Sequence, residues 1–368
     1  MTELLPHECV PPYILYLGDS TTLDEIKTAT GLLKWRPEWC VGYVAEPECT
    51  VTHAMGDLPR INDYKLAKAI GAKTFVICCV ARGSKLSPKW YETISNWICA
   101  GSDMDVATGT HERIKAHPQY AKQAAACGTR LVDYRHHDTQ YPLCRGEKRR
   151  GLRLLTIGHD GCVGKKYTSL ALCKELERRG VQHKFAPTGQ TGALIAGAEN
   201  RSIVIDSTEA DFASGAAAWL TPDCEDPGLW YVIEGQASLF HPGWAPPSLA
   251  LLYGSQPDAL VYCIDPTRRL QLGTALRVAP MVVELDLNLQ LARRVNHCVM
   301  PYAVSVNMSN VPPDDYALVM ANVKDEVDQL GYGVSIIDPN KPETFYHLIE
   351  RMINRAVEVR TRGAEVPE

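Results

Sequence analysis

The chain is missing several features that would each have narrowed its function at once. No apolar run approaches the ~18–20 residues of a membrane span. The densest one, residues 75–81, has the size of a strand. There is no excess of positive charge: 38 Lys and Arg stand against 43 Asp and Glu, a net charge of −5. A dedicated nucleic-acid binder needs clustered cations, so that class is disfavoured, with one local basic run at residues 145–153 as the exception. Residues 1–10 hold Glu3, His7 and Glu8 and lack the charged-then-apolar order of a secretion signal. No internal repeat or low-complexity tract is present, and no GxGxxG follows the first strand.

The 13 cysteines include no CxxC pair, and Cys78–Cys79 is their only close spacing. A chain of 368 residues needs no disulfide staples, and zinc sites show paired ligands at short spacing. The cysteines therefore read as reduced, mostly buried small hydrophobes in a soluble cytoplasmic protein.

Short β-rich apolar runs alternate with helical segments, the pattern of parallel α/β domains. Strands are expected at residues 13–17, 40–44, 74–80 and 130–134. Helices are expected at 23–33, 64–70, 88–100 and 117–127, the last closed by Gly128. Residues 135–151 break the pattern and read as a linker, followed near the end by a strand from 334, a helix at 343–359 and a loose polar tail. This divides the chain into domains at 1–140 and 152–368, joined by 141–151.

The sharpest motif opens the second half. A strand at 152–157 leads into Gly158-His159-Asp160-Gly161-Cys162-Val163-Gly164-Lys165, and a helix follows over 168–179. Glycines let backbone N–H groups curl around a phosphate, the helix N-terminus adds partial positive charge, and Lys165 reaches the terminal phosphates. Two departures stand out. Five residues, rather than four, separate Gly158 from Gly164, and Lys166 occupies the place of the usual Mg²⁺-binding hydroxyl, leaving Thr168 as the alternative.

The spacing Gly-x-Asp-x-x-Val-Gly-Lys resembles the loop of dethiobiotin synthetase. In that class a second strand ends in Glu-Gly, here Glu234-Gly235, and a later one in Asn, here Asn307. A more extensive resemblance covers almost the whole chain. It rests on the loop, on Thr188-Gly189-Gln190-Thr191-Gly192, on Asp211-Phe212 with Gly215-Ala216, and on Glu234-Gly235-Gln236-x-Ser238-Leu239-x-His241-Pro242. Leu251-Leu252-x-Gly254-Ser255-x-Pro257-Asp258-Ala259, Gly109-Thr110-His111 and Asp133-x-Arg135 complete it. On these blocks the sequence resembles the D-glutamate N-acetyltransferase (DgcN-type) family. The resemblance implies an N-terminal Rossmann-like parallel-sheet domain followed by a P-loop, dethiobiotin synthetase-type α/β domain. It also implies acetyl transfer from acetyl-CoA, or another acyl-CoA, to the amine of an acidic amino acid.

Amine acylation needs a base, a neutral nitrogen and donors for the developing oxyanion. Glu234, at a buried strand end, and His241 are the candidate bases; the plainer role for His241 is packing beside Pro242. Gln190 offers side-chain donors, and Asp211 would hold an ammonium or a metal, or would simply face the start of a helix. The cofactor set is Gly158, Asp160, Gly161, Cys162, Val163, Gly164, Lys165, Lys166, Thr168 and Asn307. Candidates for the substrate are Thr188, Thr191, Gln236, Ser238, Arg268, His111 and Arg135, arginine being suited to carboxylates by its planar fork. An acyl-cysteine at Cys162 is a further option.

Two rivals stay open: an ATP–Mg²⁺-dependent amide-forming ligase using Thr168 and Glu234 at the metal, and a non-catalytic nucleotide-binding protein. A small-molecule amino-acid substrate, no nucleic-acid or membrane partner, and a homo-oligomer are expected.

Overall fold

The computed structural model describes residues 9–80, 85–100, 103–136, 140–197 and 200–362. Residues 1–8, His137 and Asp138 of the expected linker, and most of the expected tail lie outside them. Two compact units form. One comprises the described residues of Met1–Thr139 together with Gly189–Ser207, the other those of Gln140–Thr188 and Thr208–Glu368. The sequence division at 141–151 did not anticipate that Gly189–Ser207 packs with the first unit.

The first unit runs β1 (Tyr13–Tyr16), α1 (Lys27–Trp35), β2 (Cys40–Val44), α2 (Tyr64–Ala69), β3 (Thr74–Ile77), α3 (Tyr91–Cys99), β4 (Asp105–Thr108), α4 (Pro118–Cys127) and β5 (Leu131–Asp133). All five strands are parallel, in the order β2-β1-β3-β4-β5. Parallel neighbours require crossover helices on the sheet faces, which is why β1 and β3 are buried along their full length. The core stacks Phe75 on Trp97 at 4.5 Å, with Tyr16, Ile94 and Ile98 around them. His117 caps α4, and Gly128 closes it in a left-handed conformation at φ 72°, as its position predicts. The short strand β4 was not expected. The helix expected over 23–33 begins as a 3₁₀ turn, Leu23–Ile26, and the one expected from residue 88 as another, Pro88–Trp90.

The second unit carries β6 (Leu152–Gly158), α5 (Lys165–Arg178) and β7 (His183–Ala186). After α6 (Gln190–Ala196), which belongs to the first unit, come α7 (Ala210–Leu220), β8 (Trp230–Ile233), α8 (Ala245–Ser255), β9 (Ala259–Ile264) and α9 (Met281–Ala292). β10 (Met300–Val306), α10 (Tyr316–Gln329), β11 (Ser335–Ile337) and α11 (Tyr346–Thr361) complete the chain. Its six strands are parallel, in the order β11-β10-β9-β6-β8-β7. The first strand, β6, lies between β8 and β9. The chain therefore leaves β6 toward one side of the sheet and later crosses to the other. A crevice opens at the carboxyl end of β6, where ligands of open α/β sheets bind.

The segment Gly189–Ser207 joins the first unit through α6 and α1. Thr191 Oγ1 meets Thr28 Oγ1 at 2.9 Å, and the Arg36 Nε donates to the carbonyl of Ile195 at 2.9 Å.

In the basic run at 145–153, Arg145, Lys148 and Arg150 are exposed, Arg150 paired with Asp223, whereas Arg149 and Arg153 turn into the fold. Arg149 donates to the carbonyls of Gly254 and Ser255 at the end of α8, and Arg153 to those of Gly151, Arg150 and Thr221, the last following α7. Burial lowers the affinity of both guanidiniums for their protons. These arginines satisfy helix C-terminal carbonyls, a structural use of positive charge. Among the described residues no helix is long and apolar enough to cross a membrane.

Candidate functional site

The phosphate loop lies where the topology places it, between the carboxyl end of β6 and the start of α5. Gly158 is required by close approach: a Cβ there would sit 2.5 Å from the carbonyl of Cys263 on β9. Two left-handed residues then bend the loop, Cys162 at φ 58° and Gly164 at φ 101°. A Gly164 Cβ would touch Asn307 at 3.5 Å, so Asn307, just after β10, flanks the loop. Gly161 faces Trp244 and Leu272, which lie 3.4 and 3.6 Å from its ideal Cβ. Cys162 is exposed, and Val163 is buried.

Lys165 is buried, and its Nζ donates to the carbonyls of Asp160 at 2.5 Å and Ala237 at 2.8 Å. Burial lowers its pKa, opposed by nearby Cys263, Cys162 and Asp160. Gly235 adjoins the lysine stem: a Cβ there would lie 3.1 Å from Lys165 Cδ and 1.5 Å from the carbonyl of Thr156. The Asp160 carboxylate accepts from Gly161 N at 2.7 Å, Leu272 N at 2.7 Å and Arg268 Nη1 at 3.0 Å. Arg268 is thus brought to the loop as the counter-ion of Asp160. Buried His159 accepts from Asp265 N at 3.1 Å; burial and the neighbouring Lys165 push its pKa down to about 4. It is neutral at physiological pH and ties the loop to the end of β9.

Glu234 and Gln236 follow β8 and meet Thr188. The Glu234 Oε2 accepts from Thr188 N at 3.1 Å, and the Thr188 hydroxyl donates to the Glu234 carbonyl and accepts from Gln236 Nε2 at 2.9 Å. Beside them, Ser238 Oγ donates to Glu284 Oε2 at 3.2 Å. Glu284, on α9, is fully buried and was missed by the sequence reading. Burial raises its pKa to about 7, against the pull of Ser238, Tyr262 and Lys165. A cavity of about 10 Å³, the size for a single water, lies beneath Gly158, Gln236, Ser238 and Asn288.

Other predicted residues have different placements. The Thr168 hydroxyl faces the sheet, bonded to Ser305 Oγ at 2.8 Å, so it does not reach the loop as a metal ligand would. Lys166 stacks near the Tyr167 ring at 5.6 Å. Both nitrogens of His241 are occupied: Nδ1 accepts from Gly243 N and Trp244 N, each at 3.2 Å, and Nε2 meets the carbonyl of Leu272 at 3.0 Å. Its ring stacks on Trp244 at 4.1 Å, which makes it a clamp rather than a base. Asp211 is exposed in the first turn of α7, where a carboxylate complements the helix dipole. Among the described residues no cluster of three His, Cys, Asp or Glu could hold a metal ion.

Gln190, Thr191, His111 and Arg135 all belong to the first unit, not to the phosphate loop's unit. Asp265 and Asp206 are further polar residues that sequence reasoning missed. Asp265 sits directly after the apolar run of β9, and that strand-end position was the available signal.

Two α/β units with parallel sheets, the second bearing a glycine-rich loop and a buried lysine at its switch point, define a two-domain P-loop protein. The DUF1611 family profile, described as a P-loop domain of unknown function, matches residues 142–341, and its Rossmann-like N-terminal domain matches 45–137. A D-glutamate N-acetyltransferase of Tritonibacter scottomollicae is 37% identical over 89% of this chain and 94% of its own length. One from a Pseudoalteromonas species is 38% identical over 89% and 95%. The crystal structure of a DUF1611 protein from Anabaena variabilis has TM-score 0.75 at 22% identity, covering 95% of this chain and 98% of its own. The chain belongs to the DUF1611 family. Within it, this chain is an enzyme of the N-acetyltransferase class.

Proposed function

We propose that this protein transfers an acetyl group from acetyl-CoA to the amine of D-glutamate or a closely similar acidic amino acid, in the cytoplasm. The observation that carries the reading is the match to two D-glutamate N-acetyltransferases along 89% of the chain. The loop chemistry supports an acyl-CoA donor over ATP–Mg²⁺. Lys166 stands where a magnesium-binding hydroxyl follows the lysine in ATP-using loops, and the Thr168 hydroxyl is committed to Ser305.

In this reading the loop N–H groups, the N-terminus of α5 and Lys165 hold the phosphates of coenzyme A. Lys165 exchanges its two carbonyl partners for phosphate oxygens, and Arg268 adds a second cation. Glu234 accepts the proton released as the acceptor nitrogen bonds to the thioester carbonyl. The C–S bond then breaks, and the coenzyme leaves as the thiol by taking the proton that Glu234 accepted. Supporting this role, Glu234 is buried beside the glycine that adjoins Lys165, whereas His241 has both nitrogens engaged.

The test is a single assay with acetyl-CoA, Mg²⁺–ATP and each glutamate enantiomer. Coenzyme A release that requires D-glutamate and is indifferent to ATP is expected. ADP formation without coenzyme A release would overturn the reading.

A further inference from the structure

The first unit carries a buried cation that its own fold leaves incompletely matched. Arg135 follows β5 and His111 follows β4, so adjacent parallel strands deliver both to the carboxyl edge of the sheet. The Arg135 side chain is only 6% exposed. Its Nη2 donates to Asp206 Oδ2 at 2.8 Å and to His111 Nε2 at 3.0 Å, while Nη1 reaches Gln190 Oε1 only at 3.4 Å. The buried Nε makes no hydrogen bond among the described residues. A guanidinium fork is made to receive two carboxylate oxygens side by side, and among the described residues one oxygen of one carboxylate touches it.

The surroundings are arranged for small polar contacts. Gly109 lets Gln190 and Tyr134 pack directly on its backbone: a Cβ there would lie 2.7 Å from Gln190 Oε1 and 2.5 Å from the Tyr134 ring. Partial desolvation of its ring and the adjacent Arg135 lower the pKa of His111, which favours the neutral ring that accepts from the guanidinium. The partner of the buried arginine is itself at the surface, since the Asp206 side chain is 44% exposed. His111 is exposed as well. Both can turn toward water without unpacking the core.

We infer that Arg135, with Gln190 and His111, is a carboxylate-binding site of the first unit, and that Asp206 is a built-in stand-in displaced by a carboxylate of the acidic amino acid. This rests on the acetyltransferase reading for the identity of that ligand. Asp206 keeps the buried cation paired in the free protein and competes with the substrate for it.

The experiment measures D-glutamate affinity calorimetrically on the full chain with coenzyme A present, together with KM for D-glutamate and for acetyl-CoA. Arg135→Lys keeps the charge and loses the fork; roughly 10- to 100-fold weaker D-glutamate binding is expected, with KM for acetyl-CoA unchanged. Asp206→Asn removes the competitor at a half-exposed position, and D-glutamate should bind roughly two- to fivefold tighter. A gain of affinity cannot come from misfolding, so this variant guards against a merely structural effect of Arg135. Unchanged affinity in Arg135→Lys, or weaker binding in Asp206→Asn, would overturn the inference. If wild type binds D-glutamate with this dependence but releases no coenzyme A, the acetyltransferase reading fails and the carboxylate site stands.

Discussion

Each unit begins with a strand that has a glycine at its end or two residues beyond it, and the two glycines do opposite things. After β1, Gly18 adopts φ +59° and the indole of Trp90 closes over it, with ring atoms 2.8 Å from the position of a Cβ. Asp19 then accepts from Trp90 Nε1 at 2.8 Å, so the crevice at that strand end is filled by the chain's own aromatic side chain. After β6, Gly158 leads through Cys162 and Gly164 directly into α5, and a buried lysine, not an indole, stands in the turn. A glycine after a strand becomes a phosphate site only when the next residues open a helix and bring a cation. Otherwise the same backbone freedom serves packing.

Four substitutions separate these two uses. The largest effect is expected from Lys165→Ala, which removes the buried cation of the loop turn. A loss of about 10²–10³-fold in kcat/KM for acetyl-CoA should follow, as when one electrostatic donor is deleted elsewhere; steady-state kinetics on folded protein checks it. Gly18→Ala should leave those constants intact and act on stability, since the added methyl meets Trp90 at a left-handed φ. About 1–3 kcal/mol of destabilisation is expected in denaturant titration.

The third prediction concerns pH. Glu284 has a pKa raised from 4.5 to about 7, so the folded state binds more protons than the unfolded one across that window. Its contribution to stability is therefore present below 4.5 and lost as pH rises through 7, by about 3 kcal/mol at full titration. His159, lowered from 6.5 to about 4, has the opposite sign: its contribution is present above 6.5 and lost as pH falls through 4. Above pH 6.5 the His159 contribution is complete and no longer changes. Thermal denaturation of Glu284→Gln should show the wild-type decline between pH 6.5 and 8 abolished; an unchanged decline would remove Glu284 as its source. The smallest effect is expected from Cys162→Ala. This thiol is exposed on the loop, and full turnover after its replacement would dismiss a covalent acyl-cysteine.

The β6–loop–α5 unit was legible because its signals are local: an apolar strand, glycines at fixed offsets, and a lysine at the helix start. The strand at Cys40–Val44 was legible for the same reason, with both ends set by nearby composition. β4 was not, because Asp105–Thr108 has only four residues, two of them polar, and is a strand only through its neighbours on both sides. Glu284 was invisible because it shares the buried face of α9 with Met281, Leu285, Leu289 and Ala292, where an apolar residue is expected. Glu284 and Asn288 point inward while Val282 and Val283 are 55% and 48% exposed. Periodicity finds the apolar face of a helix and assumes that it is the buried one. The placement of Thr188 and Gln190 in different units also leaves no local signal, since the boundary between them is set by what α6 packs against.

The central claim is that the loop after β6 cradles the phosphates of an acyl-CoA. Calorimetric titration of wild type and Lys165→Ala with coenzyme A, and then with Mg²⁺–ATP, tests it most directly. The account predicts that coenzyme A binds wild type, that Lys165→Ala loses this binding, and that Mg²⁺–ATP does not displace it. Tight Mg²⁺–ATP binding with no affinity for coenzyme A would contradict it.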